Sequence, residues 1–295
     1  MPTGEPTLPN HPGNPVGGTA LIKDARKSVN NKLRAIRSWL LEQLESIPTE
    51  RVTVNASVYQ YQISADRLAA IVDELRRRLA DPEIARAIVN RVRSGYEQGT
   101  ASTVVSLSAV APEDYTRTLV AVLTSDRWQR RVALVGSRVF EQMQGFSGET
   151  ATDLSRVLMT GVENGQNPRE VAKVIRERFG VARSRAERIA RTEITGALRR
   201  ARWDEVEDAR INLGVETRLM HLSALSPTTR ASHAARHGNL YTVQEVREWY
   251  TIGGEAINCK CAQTPVAVDE EGNPVVTRVV DKVRAAKKRY QQAQD

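Results

Sequence analysis

The stretch RSRAERIARTEITGALRRARWDEVEDAR, residues 183–210, decides how this chain is read. At about 100° per residue, Ala186, Ala190, Ile194, Ala197 and Ala201 share one narrow face, which predicts a helix whose small residues let a neighbour approach closely. Glu193 sits on the edge of that face and Arg191 on another. A carboxylate there is costly to desolvate unless paired, so its partner is expected from another segment, with Arg230 the candidate. The other arginines, Arg183, Arg185, Arg188, Arg199, Arg200 and Arg202, read as a solvated side, diluted by Glu187, Asp204, Glu205, Glu207 and Asp208. Ser184 and Glu187 have capping-box spacing and are expected to open this helix. Gly180 is expected to close the one before it, which Asn167, Pro168 and Glu170 begin.

Upstream the pattern is also helical. Val29, Leu33, Ile36, Leu40, Leu44 and Ile47 form a stripe ending before Pro48. Ser64 caps a helix through Leu79, Asp81 with Pro82 starts another, Pro112 starts a third after a Ser/Thr-rich stretch, and Ser125 starts a fourth. Val52, Val54, Ala56 and Val58 alternate with polar residues as a strand does, with Tyr59 to Ile63 as a partner. After Val215 short β-like runs and Gly-rich turns take over. The fold class is therefore mainly α with a smaller α+β C-terminal part. Its divisions are a flexible or extended arm over 1–18, a helical domain over 19–148 with a hairpin near 51–63, a second domain over 149–268, and a hairpin with a basic tail over 269–295.

The 295 residues carry 43 Lys and Arg against 35 Asp and Glu, a formal charge of +8 that favours polyanions without naming one. The tail residues Lys282, Arg284, Lys287, Lys288 and Arg289 are the cleaner DNA or polyanion contact. Both cysteines, Cys259 and Cys261, are separated by a single residue, which excludes a disulfide scaffold and fits a reducing compartment or a metal. No apolar run reaches membrane-spanning length and no signal segment is recognised, so a cytoplasmic protein is expected.

Chemistry concentrates in residues 221–261, which hold three of the four histidines and both cysteines. His233 and His237 are four apart, so on a helix both rings face one point, where Cys259 and Cys261 could join them around zinc. His233 would equally serve as hydrogen-bond partner to backbone or a carboxylate. The metallopeptidase pattern His-Glu-x-x-His is absent, because Ala234 stands where the glutamate would be. A rival reading is a zinc-dependent hydrolase or nuclease, or a toxin-like effector, with His221, His233, His237, Cys259 and Cys261 as ligands and Glu193 as acid or base. A helix-turn-helix regulator is disfavoured by the Ala-rich face, which suggests burial.

Arg185-Ala-Glu-Arg-Ile-Ala-Arg-Thr-Glu193, Ser226-Pro-Thr-Thr-Arg230-Ala-Ser-His233, His237-Gly238 and Asn258-Cys-Lys-Cys261, in this order, resemble the phage head-morphogenesis family of minor head proteins to which the F protein of phage Mu belongs. The resemblance spans about residues 150–268. It departs from the family where Pro227-Thr228 precedes Arg230's segment and where Ile257-Asn258 precedes the cysteines. What it implies is a head-morphogenesis domain with short strands, and a structural polar centre of Arg191, Thr192, Glu193, Arg230, His233 and Gly238, without catalytic turnover. The implied protein is a minor capsid component of a tailed phage, assembled in the host cytoplasm and located in the virion. Few copies would enter near the portal during procapsid assembly and perform no base-specific reading of the genome DNA. Portal, major capsid or scaffolding protein are the implied partners, and delivery with the genome is compatible with that role; residues 19–148 carry no family motif, and a docking module for portal or scaffold is expected there from helicity and position alone.

Overall fold

A computed structural model describes residues 4–52 and 58–293. The fold is 67% helical with a few short antiparallel strands, as the mainly α reading expects. The chain forms two compact units that interleave in sequence. One contains residues up to Leu21, Val92–Val135 and Arg191 onward; the other contains Ile22–Arg91 and Gly136–Ala190. These units do not coincide with the sequential division into 19–148 and 149–268, because the long helices run through the expected boundary.

The second-named unit draws on α1 (Thr19–Glu45), β1 (Thr49–Arg51), β2 (Tyr59–Tyr61), α2 (Ala65–Leu79) and parts of three longer helices. The α1 stripe is buried as its spacing predicts, from Val29 through Leu44. β1 and β2 pair antiparallel, Thr49 opposite Tyr61 and Arg51 opposite Tyr59. Residues 53–57 of the expected strand lie outside the described residues. Ser64 caps α2 by accepting the Arg67 N–H at 3.2 Å.

Three helices are longer than local signals suggest. Helix α3 (Pro82–Val110) absorbs the Ser/Thr-rich stretch. There Thr100, Thr103 and Ser106 donate to the carbonyls of Tyr96, Gly99 and Ser102, which lets small hydroxyls be buried in a helix. Pro112 accordingly starts no helix; a turn leads to the short α4 (Leu119–Leu123), capped by Thr118. Helix α5 (Asp126–Glu163) begins after Ser125 and passes without a break through residue 148. Helix α6 (Pro168–Leu213) begins after Asn167, whose Oδ1 accepts the Arg169 N–H at 2.9 Å. It continues through Gly180, so that glycine ends nothing. Ser184 opens nothing either, since it lies inside the same helix, and Glu187 is engaged by Asn30 at 2.7 Å and Arg26 at 2.6 Å. Ala186, Ala190, Ile194, Ala197 and Ala201 are all buried, as the narrow face requires.

The other unit is built on a three-stranded antiparallel sheet, with β3 (Thr217–Leu222) between β4 (Leu240–Tyr241) and β5 (Ala262–Ala267). Helices α7 (Ala231–Arg236) and α8 (Val243–Thr251) fill the connections, and α9 (Arg278–Gln292) follows β5. A turn at Asp269–Asn273 leads to the isolated bridge of Val268 with Pro274, so the hairpin expected over 269–295 is reduced to that bridge before α9 begins. The core here joins Leu107, Tyr115, Trp203, Val206, Leu219, Trp249 and both cysteines. Residues 4–18 are not a free arm. Gly4 N–H meets the Val110 carbonyl, Val16 N–H meets that of Lys260, Thr264 Oγ1 donates to the Thr7 carbonyl, and Val16 is fully buried. The segment has few large apolar side chains, yet the surrounding unit pairs the backbone groups of Gly4, Thr7 and Val16, which offsets part of the ordering entropy.

Candidate functional site

The site assembles where β3, α7, α8 and the segment before β5 meet the later part of α6. His221 sits near the end of β3 opposite Gln263 of β5. Gln263 Oε1 accepts the Trp203 indole N–H at 2.8 Å, which turns its amide N–H toward His221 Nδ1 at 3.0 Å. Burial depresses the His221 pKa to about 3. Gly238, at φ +78°, reverses the chain after α7 and donates its N–H to the His221 carbonyl at 2.9 Å. A Cβ there would also meet Arg284 Cγ at 3.0 Å.

His233 is buried on α7. Its Nε2 lies 2.5 Å from Glu255 Oε2, while Nδ1 faces Cys261 Sγ at 3.2 Å and Cys259 Sγ at 3.5 Å. Arg230, the residue before α7, donates to the Glu255 and Ile257 carbonyls at 3.0 and 2.6 Å and approaches His233 Nε2 at 3.0 Å. The Trp249 ring stands edge-on to both imidazoles, at 5.0 Å from His221 and 4.8 Å from His233.

The two cysteines are buried and unequal. Hydrogen bonding from Cys261, helped by His233, Arg199 and Tyr250, holds Cys259 well below the usual thiol range against desolvation. The same pairing, reinforced by burial, drives Cys261 well above the usual thiol range. Cys259 Sγ also receives the Cys261 backbone N–H at 3.3 Å, and Tyr250 Oη lies 3.4 Å away.

The Arg-Thr-Glu segment reaches this site through backbone. Thr192 Oγ1 accepts the Asn258 N–H at 3.2 Å and Arg191 donates to Asn258 Oδ1 at 3.3 Å. Asn258 is at φ +54°, a left-handed turn that Asn tolerates, and the chain then enters the Cys pair. Glu193 is buried, but the partner shown for it is Arg200 of its own helix, at 3.3 Å, while Arg230 is directed at the Glu255 and Ile257 carbonyls. The expectation of a Glu193–Arg230 pair is corrected accordingly.

Three further placements differ from the sequence reading. His237 lies beyond the six-residue α7, where the backbone is no longer helical, so the four-residue spacing does not aim it at the cysteines. Its Nδ1 accepts the Ser223 N–H at 2.9 Å, and burial lowers its pKa to about 4. Among the described residues, His221, His233 and Cys261 are the set whose ligand atoms lie within 4.8 Å of one another. Arg199, assigned to a solvated face, is 1% exposed; it donates to the Cys259 carbonyl at 3.0 Å and lies over the Tyr250 ring at 4.6 Å. In the basic tail, α9 buries Val280 and Val283, Arg284 caps the Gly238 carbonyl at 3.2 Å and Lys287 caps that of Ala235, while Lys282, Lys288 and Arg289 are exposed.

Residues 152–264 match the family described as Phage Mu protein F like protein, which bears out the resemblance to the phage head-morphogenesis family over that stretch. The chain is also 22% identical over 269 residues to the NAD(+)–arginine ADP-ribosyltransferase EFV of Enterococcus faecalis, an alignment covering 84% of this chain and 53% of that protein. The chain thus spans about half the length of the curated relative it matches. No solved structure matches. Among the described residues no helix is long and apolar enough to cross a membrane.

Proposed function

We propose that this chain is a minor component of a tailed-phage head, taken up in few copies near the portal while the procapsid assembles and released with the genome. The match over residues 152–264 carries this reading, since phage head morphogenesis is the role that family supports. The geometry favours a structural use of the matched residues. Thr192, Arg191 and Arg230 spend their polar groups on the 255–258 backbone and the Asn258 amide, and His233 is enclosed by Glu255, Trp249 and the cysteines. In this reading portal, major capsid or scaffolding protein are the partners. Exposed Lys282, Lys288 and Arg289 meet genome DNA through phosphates, without base specificity.

The test is quantitative mass spectrometry of purified particles, with the gene intact and deleted. The expected result is a few copies of the chain per wild-type particle, and fewer infectious particles on deletion. Absence of the protein from purified particles would refute the proposal.

A toxin-like effector carried in the virion is the second reading, favoured by the named activity of the Enterococcus relative. About half of that protein has no counterpart in this chain. NAD+ incubated with the purified chain and an arginine acceptor is therefore expected to yield no nicotinamide above background; sustained release would establish the effector reading instead.

A further inference from the structure

We propose that Cys259, Cys261, His233 and His221 hold one Zn2+ in a closed tetrahedral site. The ligand set differs from the one the sequence suggests, with His221 in place of His237, and it stands independently of the head-assembly reading.

Geometry comes first. Zinc bonds of about 2.3 Å to sulfur and about 2.0 Å to nitrogen give a tetrahedral nitrogen-to-sulfur edge of about 3.5 Å. His233 Nδ1 already lies 3.2 and 3.5 Å from the two sulfurs. Glu255 at His233 Nε2 fixes the ring so that the N–H points at the carboxylate and the Nδ1 lone pair points at the cysteines. That is the carboxylate–histidine arrangement that orients metal ligands. The Cys261 backbone N–H directed at Cys259 Sγ supports a coordinated thiolate in the same way.

His221 supplies the second, independent observation. It is fully buried, and its Nε2 has no hydrogen-bond partner. Trp203 is a donor only, so it holds Gln263 with an N–H facing His221 Nδ1, and the ring must then carry its proton on Nε2, where no acceptor lies. Ligation through Nε2 gives that nitrogen a partner and moves the unmet donor to the Trp203 N–H. The imidazole proton moves to Nδ1, the Gln263 carboxamide turns its oxygen to accept it, and the Trp203 indole gives up that acceptor. Cys261 gives up its thiol proton to solvent, so that both sulfurs bind as thiolates. Two thiolates balance the charge of the ion, and a mixed thiolate and imidazole set selects zinc. Trp249 packs against both imidazoles, so no coordination position opens to water and the metal is structural. It ties β3, α7 and the segment before β5 together.

The full-length chain, purified without chelator, is expected to carry equimolar zinc by elemental analysis. Replacement by Co2+ should give the ligand-field bands of a tetrahedral site with thiolate charge transfer. Cys259→Ser, Cys261→Ser, His233→Ala and His221→Gln should each lose that spectrum, whereas His237→Asn keeps it. Glu255→Gln should weaken metal affinity about 10- to 100-fold without abolishing binding. Two measurements on the wild-type chain do not depend on the folding of variants. A thiol reagent should label the cysteines only after chelation, and the Trp203 indole N–H resonance should move on zinc addition. A chain without zinc that also fails to bind Co2+ overturns the site. Retention of the spectrum in His221→Gln, or equal thiol labelling with and without chelator, overturns the ligand set.

Discussion

Alanine at Gly99 and at Gly180 should shift stability in opposite directions. Both glycines lie inside helices, where replacement by alanine contributes about 1 kcal/mol through lower backbone entropy if nothing opposes it. Gly99 of α3 faces α6. A Cβ added there would lie 2.5 Å from the Leu198 carbonyl oxygen and 2.9 Å from Ala201 Cβ. Both helices would have to separate by nearly an ångström to restore ordinary contact, and overpacking of this kind costs about 1–3 kcal/mol. With a backbone atom as the obstacle the upper end applies, so Gly99→Ala should destabilise by about 1–2 kcal/mol net. Around Gly180 of α6 an added Cβ meets nothing within 4 Å. Gly180→Ala should therefore stabilise by about 0.5–1 kcal/mol. Urea titration followed by circular dichroism reads both. A neutral or stabilising Gly99→Ala would mean that α3 and α6 do not pack at this point. A destabilising Gly180→Ala would mean that the residue needs a left-handed conformation and that the helix ends there, as its sequence suggests.

Acid sensitivity should come in part from His237. Burial puts its native pKa at about 4 against an ordinary 6.5, so the unfolded chain takes up the proton first. Stability is full above about pH 6.5 and is lost as the pH falls toward 4, by about 3 kcal/mol in all. His237→Asn, which keeps an acceptor for the Ser223 N–H, should flatten that slope in denaturation measured across this range; an unchanged slope would remove His237 as its source. Reversing Lys282, Lys288 and Arg289 to Glu should weaken binding to DNA of any sequence, and lower the salt slope by about one for each phosphate no longer neutralised. Unaltered salt dependence would take nucleic acid away from this surface. Asp208 is buried and accepts from Arg127 and Arg131, each at 2.7 Å, so Asp208→Asn should cost about 1–3 kcal/mol in thermal or urea unfolding. A loss below a few tenths would show those ion pairs to be solvent-screened.

What the sequence made legible was local. The α1 stripe and the caps at Ser64 and Asn167 depend on residues within one turn of each other, and the structure realises them. Some misreadings come from a tertiary partner that changes the value of a local signal, others from local structure that the residue types do not announce. Glu187 has the spacing of a cap but is engaged by Asn30 and Arg26; Gly180 has the look of a helix end but sits where the helix continues. Ser/Thr residues of α3 read as loop, because their hydroxyls give no sign in sequence that they will bond back to carbonyls one turn away. The prolines of residues 4–18 suggested a free arm, whereas Val16 and the carbonyls of Val110 and Lys260 anchor it.

The polar centre was legible as a set of residues but not as a set of pairs. Arg191, Thr192, Arg230 and His233 do converge on residues 255–261, yet the contacts run mostly to backbone, which has no residue-specific signature in a sequence. Arg199 shows why this matters for function. An arginine taken for solvated surface is buried against Tyr250 and holds the carbonyl of Cys259, one residue from the turn that Thr192 fixes at Asn258. Helix α6 therefore grips the cysteine segment at two successive residues, first by a hydroxyl and then by a cation. Here their acceptors are already supplied by the chain itself, so the polar groups of this centre set the path of residues 255–261, and through them the position of His233 and both sulfurs.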